Sequence, residues 1–85
     1  MEFKQSKKET SRRLREEKNA TQRSYALEGT MREALQRGDK QLAEDSRMDL
    51  LINLNFLMGW MASKEKYKLA AAYKKKIEAL KQEVF

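Results

Sequence analysis

The chain has 85 residues, 40% of them hydrophobic, with 19 Lys/Arg against 13 Asp/Glu, a net charge of +6, and neither Cys nor His. Those absences exclude disulfides, thiolate and imidazole metal sites, and catalysis by a His base or a Cys nucleophile. A chain this short is one domain near the lower limit for a self-sufficient core, so good helix packing or self-association must do the work of a staple.

There is no Pro, only three Gly, and abundant Glu, Lys, Gln, Leu, Ala and Arg, with no run that alternates apolar and β-branched residues against polar ones. This composition predicts an all-α fold. The expected architecture is a three-helix arrangement, with helices over about 11–37, 40–62 and 66–84. The last two form an antiparallel helical hairpin, and a mobile basic N-terminus precedes the set.

Residues 1–10 are charged, with Phe3 the one large apolar side chain, and read as a disordered arm. They lack the apolar stretch that export requires, which together with the missing Cys points to the cytoplasm. Thr10 or Ser11 is a candidate N-cap for the first helix. Between Arg12 and Ala20 only Leu14 and Ala20 are apolar, so this half has little to dock with. The second half packs better, through Tyr25, Leu27, Met31, Ala34 and Leu35. The reading is one long helix with a weak point at Gly29, where Thr30-Met31-Arg32-Glu33 has a capping-box pattern.

The same region supplies candidate nucleic-acid contacts. Lys7, Lys8, Arg12, Arg13, Arg15 and Lys18 are six cations that phosphates would attract. Glu9, Glu16 and Glu17 interleave with them, and Glu16 lies one turn from Arg12 and Arg13, so pairing within the helix competes for the same charges.

Gly38 suits the left-handed position past a helix end, and Asp39 then caps the second helix. From Met48 to Ala62 that helix is nearly continuous in apolar residues. It is too short to cross a membrane, which takes about 20 apolar residues, and it carries Asp49, Asn53 and Asn55. Asn53 and Asn55 cannot share a face, so if apolar residues nearly surround the helix, at least one amide sits at a contact and needs a partner; an Asn facing solvent is the other reading. Flanking helices can cover only part of this surface. Met48, Leu51, Asn55, Met58, Trp60 and Met61 are therefore the candidate partner-binding residues. Trp60 reads as core or interface rather than a ligand platform. Glu44, Asp45 and Asp49 cluster nearby, but one helix face offers too few oxygens for a metal, and they read as a solvated face.

In the third segment Ala70, Tyr73, Ile77, Leu80 and Val84 step by three and four, the seam of a packed helix. The core should be led by Leu50, Leu51, Leu54, Leu57, Met58, Ala70, Ile77 and Leu80. Charge is segmental: residues 1–37 carry +4, residues 38–63 carry −2 and residues 64–85 carry +4. A mildly acidic central helix is thus flanked by two basic ones.

Met58, Met61-Ala62, Tyr67, Ala70-Ala71, Ile77 and Leu80 stand where the UVR motif has its Met, small pair, aromatic, Ala pair, Ile and Leu. The segment resembles that motif, a helical hairpin of bacterial excision-repair proteins and of adaptors of bacterial protease chaperones. It departs at Glu65, where the motif has Leu, at Lys68, where it has Glu, and at Tyr73-Lys74-Lys75, where it has Leu-Arg-Asp. The resemblance implies an interaction hairpin and no catalysis.

No catalytic constellation, cofactor site, metal site or small-molecule substrate site is expected. The function read from the sequence is a non-enzymatic protein–protein interaction or regulatory module that pairs with itself, as a homodimer, or occupies a partner's surface. The alternative is nucleic-acid binding through the basic arm and the Lys-rich last helix.

Overall fold

The computed structural model describes the backbone of residues 2–85 and the side chains of residues 14–85. It consists of three helices: α1 (Glu2–Gln36), α2 (Lys40–Ser63) and α3 (Tyr67–Gln82). The all-α expectation holds. α1 begins at Glu2, so the boundary near residue 11 and the disordered arm expected upstream of it give way to one continuous helix. Glu, Lys, Gln and Arg all have high helix propensity, and Glu–Lys pairs one turn apart add support. Gly29 does not interrupt α1.

Both connections are closed by local backbone bonds. Gly38 adopts a left-handed φ of 77°, which only glycine reaches at no steric cost. The Asp39 amide donates back to the Ala34 carbonyl at 2.8 Å, and the Asp39 carboxylate accepts from the Leu42 amide at 3.1 Å. One residue thereby ends α1 and caps α2. The second turn uses the same device with Glu65 in the left-handed position, φ 61°. There the Lys66 amide returns to the Met61 carbonyl at 2.8 Å.

α2 is the central element, packing against α1 along one edge and α3 along the other. Asn53 reaches Ala20 and Ser24, while Trp60 reaches Glu17. Advancing along α2 therefore means retreating along α1, and the two run antiparallel. Arg47, near the start of α2, reaches the carbonyls of Leu80 and Glu83 at the end of α3. α2 and α3 are antiparallel as well. α1 and α3 meet mainly through ion pairs, Arg32–Glu83 at 2.9 Å and Lys76–Glu28 at 3.1 Å.

The core joins all three helices through Met31, Ala34, Leu50, Leu54, Leu57, Ile77 and Leu80. Of the eight residues expected to lead it, Leu50, Leu54, Leu57, Ile77 and Leu80 are buried, Leu51 and Met58 are half-buried against it, and Ala70 is half-buried but stands outside it. Met31, Ala34 and Ala43 stand outside those eight and are fully buried. Small side chains at 34 and 43 let α1 and α2 approach closely beside the turn. α1 has 35 residues and α2 has 24. At 1.5 Å per residue α1 outruns its neighbour by about 16 Å, which accounts for the 56 Å long dimension of the molecule.

Candidate protein-interaction surface

The inward face of α2 is Ala43, Ser46, Leu50, Leu54, Leu57 and Met61. With 100° between successive residues, the opposite face is then fixed: Asp45, Met48, Ile52, Asn55, Gly59 and Ala62, flanked by Phe56. Neither α1 nor α3 covers it. Met48 is 57% exposed, Ile52 66% and Phe56 45%. Three large apolar side chains thus stand in successive turns on the outside of a fold whose core is already closed. Beside them a shallow groove, lined by Arg23, Asp49, Ile52, Asn53 and Phe56, runs along the α1–α2 seam.

The six expected partner-binding residues fall into two groups. Met48, Leu51, Asn55 and Met58 lie together on the outer face and its α3-side flank, with Met48 and Asn55 exposed and Leu51 and Met58 half-buried. Met61 is buried, 4% exposed, among the inward residues. Trp60 turns toward α1. Its indole Nε1 donates to the Glu17 carboxylate at 2.6 Å, the Lys64 ammonium lies 4.7 Å from the ring centroid, and Lys64 also pairs with Glu17 at 2.9 Å. Trp60 is therefore a fastener between α1 and the end of α2, and only the stacking of Phe56 on it, centroids 6.2 Å apart, ties it to the outer face. Ile52 and Phe56 are the residues that sequence reasoning missed. The signal for Ile52 is the three-four spacing from Asp45 to Ala62, which an apolar helix hides because the inward face carries much the same spacing; Phe56 lies one turn on from Ile52, at the edge of that stripe.

Both asparagines have partners. Asn53 Nδ2 donates to the Ala20 carbonyl at 2.6 Å and to Ser24 Oγ at 2.7 Å, so it is the amide at a helix contact. Asn55 is exposed and donates to the Leu51 carbonyl at 3.0 Å. The Glu17 carboxyl is held below its ordinary value of 4.5, first by the hydrogen bond from Lys64 and then by that from Trp60. A lowered folded-state pKa contributes stability that is present above the unfolded pKa and lost as pH falls through the folded one. Glu17→Gln keeps an acceptor for the indole and removes the charge. The expected result is a protein whose melting temperature falls less than wild type's as the pH is lowered from neutral into the acid range where that carboxylate takes up its proton. Equal losses in the two proteins would show that this contact does not carry the pH dependence.

Of the six candidate nucleic-acid residues, Arg15 and Lys18 are exposed on α1. Lys7, Lys8, Arg12 and Arg13 lie outside the described side chains. On α3, Lys68, Lys74, Lys75 and Lys81 are exposed, whereas Lys76 is paired with Glu28. Among the described residues no group of three or more His, Cys, Asp or Glu is placed to hold a metal ion, and no helix is long and apolar enough to cross a membrane.

No protein-family model, curated protein or solved structure matches the chain.

Proposed function

We propose that this chain is a non-enzymatic helical module that acts by protein–protein contact through the outer face of α2. The observation that supports this reading is the exposure of Met48, Ile52 and Phe56 in successive turns. An isolated exposed apolar residue needs no explanation, but a contiguous row of them beside a groove marks a contact surface. Met48 adds adaptability at such a surface. The resemblance of residues 58–80 to a UVR hairpin points the same way.

The second reading is nucleic-acid binding, which the exposed Lys68, Lys74, Lys75 and Lys81 of α3 favour, together with Arg15 and Lys18. Affinity capture with the full chain separates the two, run with and without nuclease and repeated with Ile52→Asp. A protein that survives nuclease and is lost with Ile52→Asp is the expected result. Capture unaffected by Ile52→Asp, or recovery of nucleic acid alone, would overturn the α2 reading.

A further inference from the structure

We propose that the outer face of α2 pairs with the same face of a second copy of this chain, antiparallel, about a two-fold axis at the level between Asn53 and Leu54. The inference rests on the reading of that face as the contact surface and adds the occupant and the register.

Three independent features select this occupant. The stripe Asp45, Met48, Ile52, Asn55, Gly59 and Ala62 steps by three, four, three, four, three, which reads identically from either end. A two-fold contact applies one patch to its own copy, residue i meeting j and j meeting i, and this spacing gives each member of the stripe another member at its own height. In the antiparallel register Met48 lies across from the partner's Gly59, and Ile52 falls at the height of the partner's Asn55, on the other flank of the stripe. Gly59 has no internal reason to be glycine, because a Cβ there would meet nothing within 4 Å and its φ is not left-handed. In the pair, the missing side chain leaves a seat for Met48.

The charges supply the second feature. Glu44, Asp45 and Asp49 lie in the first half of α2, residues 50–63 carry no charge, and Lys64, Lys66 and Lys68 follow in the turn and α3. Glu44 is engaged by Arg47 and Lys64 by Glu17, and Lys40 and Glu65 offset one charge in each stretch. Antiparallel pairing therefore sets the remaining carboxylates, Asp45 and Asp49, toward the partner's end that carries Lys66 and Lys68, while parallel pairing would set Asp45 and Asp49 against their own copies. Complementary charge of this kind fixes direction more than it adds affinity.

The groove is the third. A two-fold perpendicular to the paired helices keeps each flank on its own side, so the Phe56 flanks of the two copies face each other. Phe56 then falls at a height between the partner's Asp49 and the partner's Ile52, beside the groove lined here by Arg23, Asp49, Ile52, Asn53 and Phe56. On the opposite flank the two Asn55 amides approach across the axis, a polar contact able to hold register.

The chain has no cysteine, so single cysteines report the register cleanly. Met48→Cys and Gly59→Cys are each prepared in the full chain, oxidised alone and oxidised as a mixture. In the proposed register Met48 is about 16 Å along the axis from its own symmetry mate, beyond the roughly 4.4–6.8 Å Cα separation of a disulfide. The expected result is a disulfide dimer in the mixture and little in either variant alone. Self-cross-linking of Met48→Cys matching the mixture overturns the antiparallel register. In parallel, sedimentation equilibrium of the unmodified chain should give twice the 10.0 kDa monomer mass. Ile52→Asp should raise the dissociation constant by at least about 100-fold, since the two-fold counts the buried carboxylate twice. Ile52 is 66% exposed in the single chain, so an unchanged circular dichroism melt in dilute solution shows that the variant folds. A monomer throughout the micromolar range, or a dimer indifferent to Ile52→Asp, overturns self-pairing. Nuclease-resistant capture of another protein, lost with Ile52→Asp, would then leave the face as a contact surface with a different occupant, whereas capture indifferent to that variant would remove the surface reading itself.

Discussion

Leu54→Ala lowers the unfolding free energy by about 2–5 kcal/mol, the cost of removing a buried isobutyl group and leaving part of its cavity unfilled. Leu54 is 1% exposed and sits in the cluster that joins α1, α2 and α3, so no single helix can move in to fill the gap without disturbing another. For a domain of this size that is about a third to a half of the whole stability. Each kcal/mol shifts the midpoint by roughly 4–8 °C in a small domain, so thermal melts followed by circular dichroism at fixed chain concentration resolve the loss easily. Ile52→Ala is the internal control. It lies two residues away on the outer face, and at low concentration should change stability by no more than about 0.5 kcal/mol. Equal effects of the two substitutions would mean that the inward and outward faces of α2 have been exchanged.

The second large effect is expected at Arg47. Its guanidinium donates to the carbonyls of Leu80 and Glu83, pairs with Glu44 and lies 4.4 Å from the centroid of the Phe85 ring. Helix ends leave carbonyls short of partners; the Leu80 carbonyl accepts from the Glu83 amide at 3.3 Å, and Arg47 adds a second donor to it and one to the Glu83 carbonyl from α2. The planar, permanently charged fork spreads its donors over separate nitrogens and so spans two carbonyls on α3 and a carboxylate on α2, whereas a lysine concentrates its three donors on one nitrogen. Arg47→Ala should cost about 1.5–3 kcal/mol, the range for charged hydrogen bonds. It should also raise amide exchange selectively over residues 78–83, leaving the α1–α2 seam protected. Arg47→Lys should recover less than half of the loss. Uniform acceleration of exchange across all three helices would show that Arg47 supports the core rather than the end of α3.

Much of the fold follows from local chemistry. Residue composition alone excluded strands. Gly38 and Asp39 marked the α1–α2 turn because left-handed backbone and a capping carboxylate are requirements of the chain itself, independent of what packs nearby. The seam through Tyr73, Ile77 and Leu80 was visible because α3 is amphipathic; Val84, its expected last step, lies beyond the end of the helix at Gln82 and is 98% exposed. The start of α1 was not visible, since a charged, soluble-looking stretch with high helix propensity fits an arm and a solvated helix equally well.

The orientation of α2 belonged to the tertiary structure. Apolar residues nearly encircle that helix between Leu50 and Met61, so its sequence offers several faces of comparable hydrophobicity. Two neighbours can cover only an arc of it. Where α1 and α3 are placed, through Asn53 on Ala20 and Ser24, Trp60 on Glu17 and Arg47 on the end of α3, decides which arc is buried. Met61 thereby goes inside, and Ile52 and Phe56 remain outside. The sequence by itself determined that this chain is three helices with apolar surface in excess of what a small core can hold. Only the packing of two helices against a third decided where that excess is exposed, because burial is a property of neighbours and not of the residue.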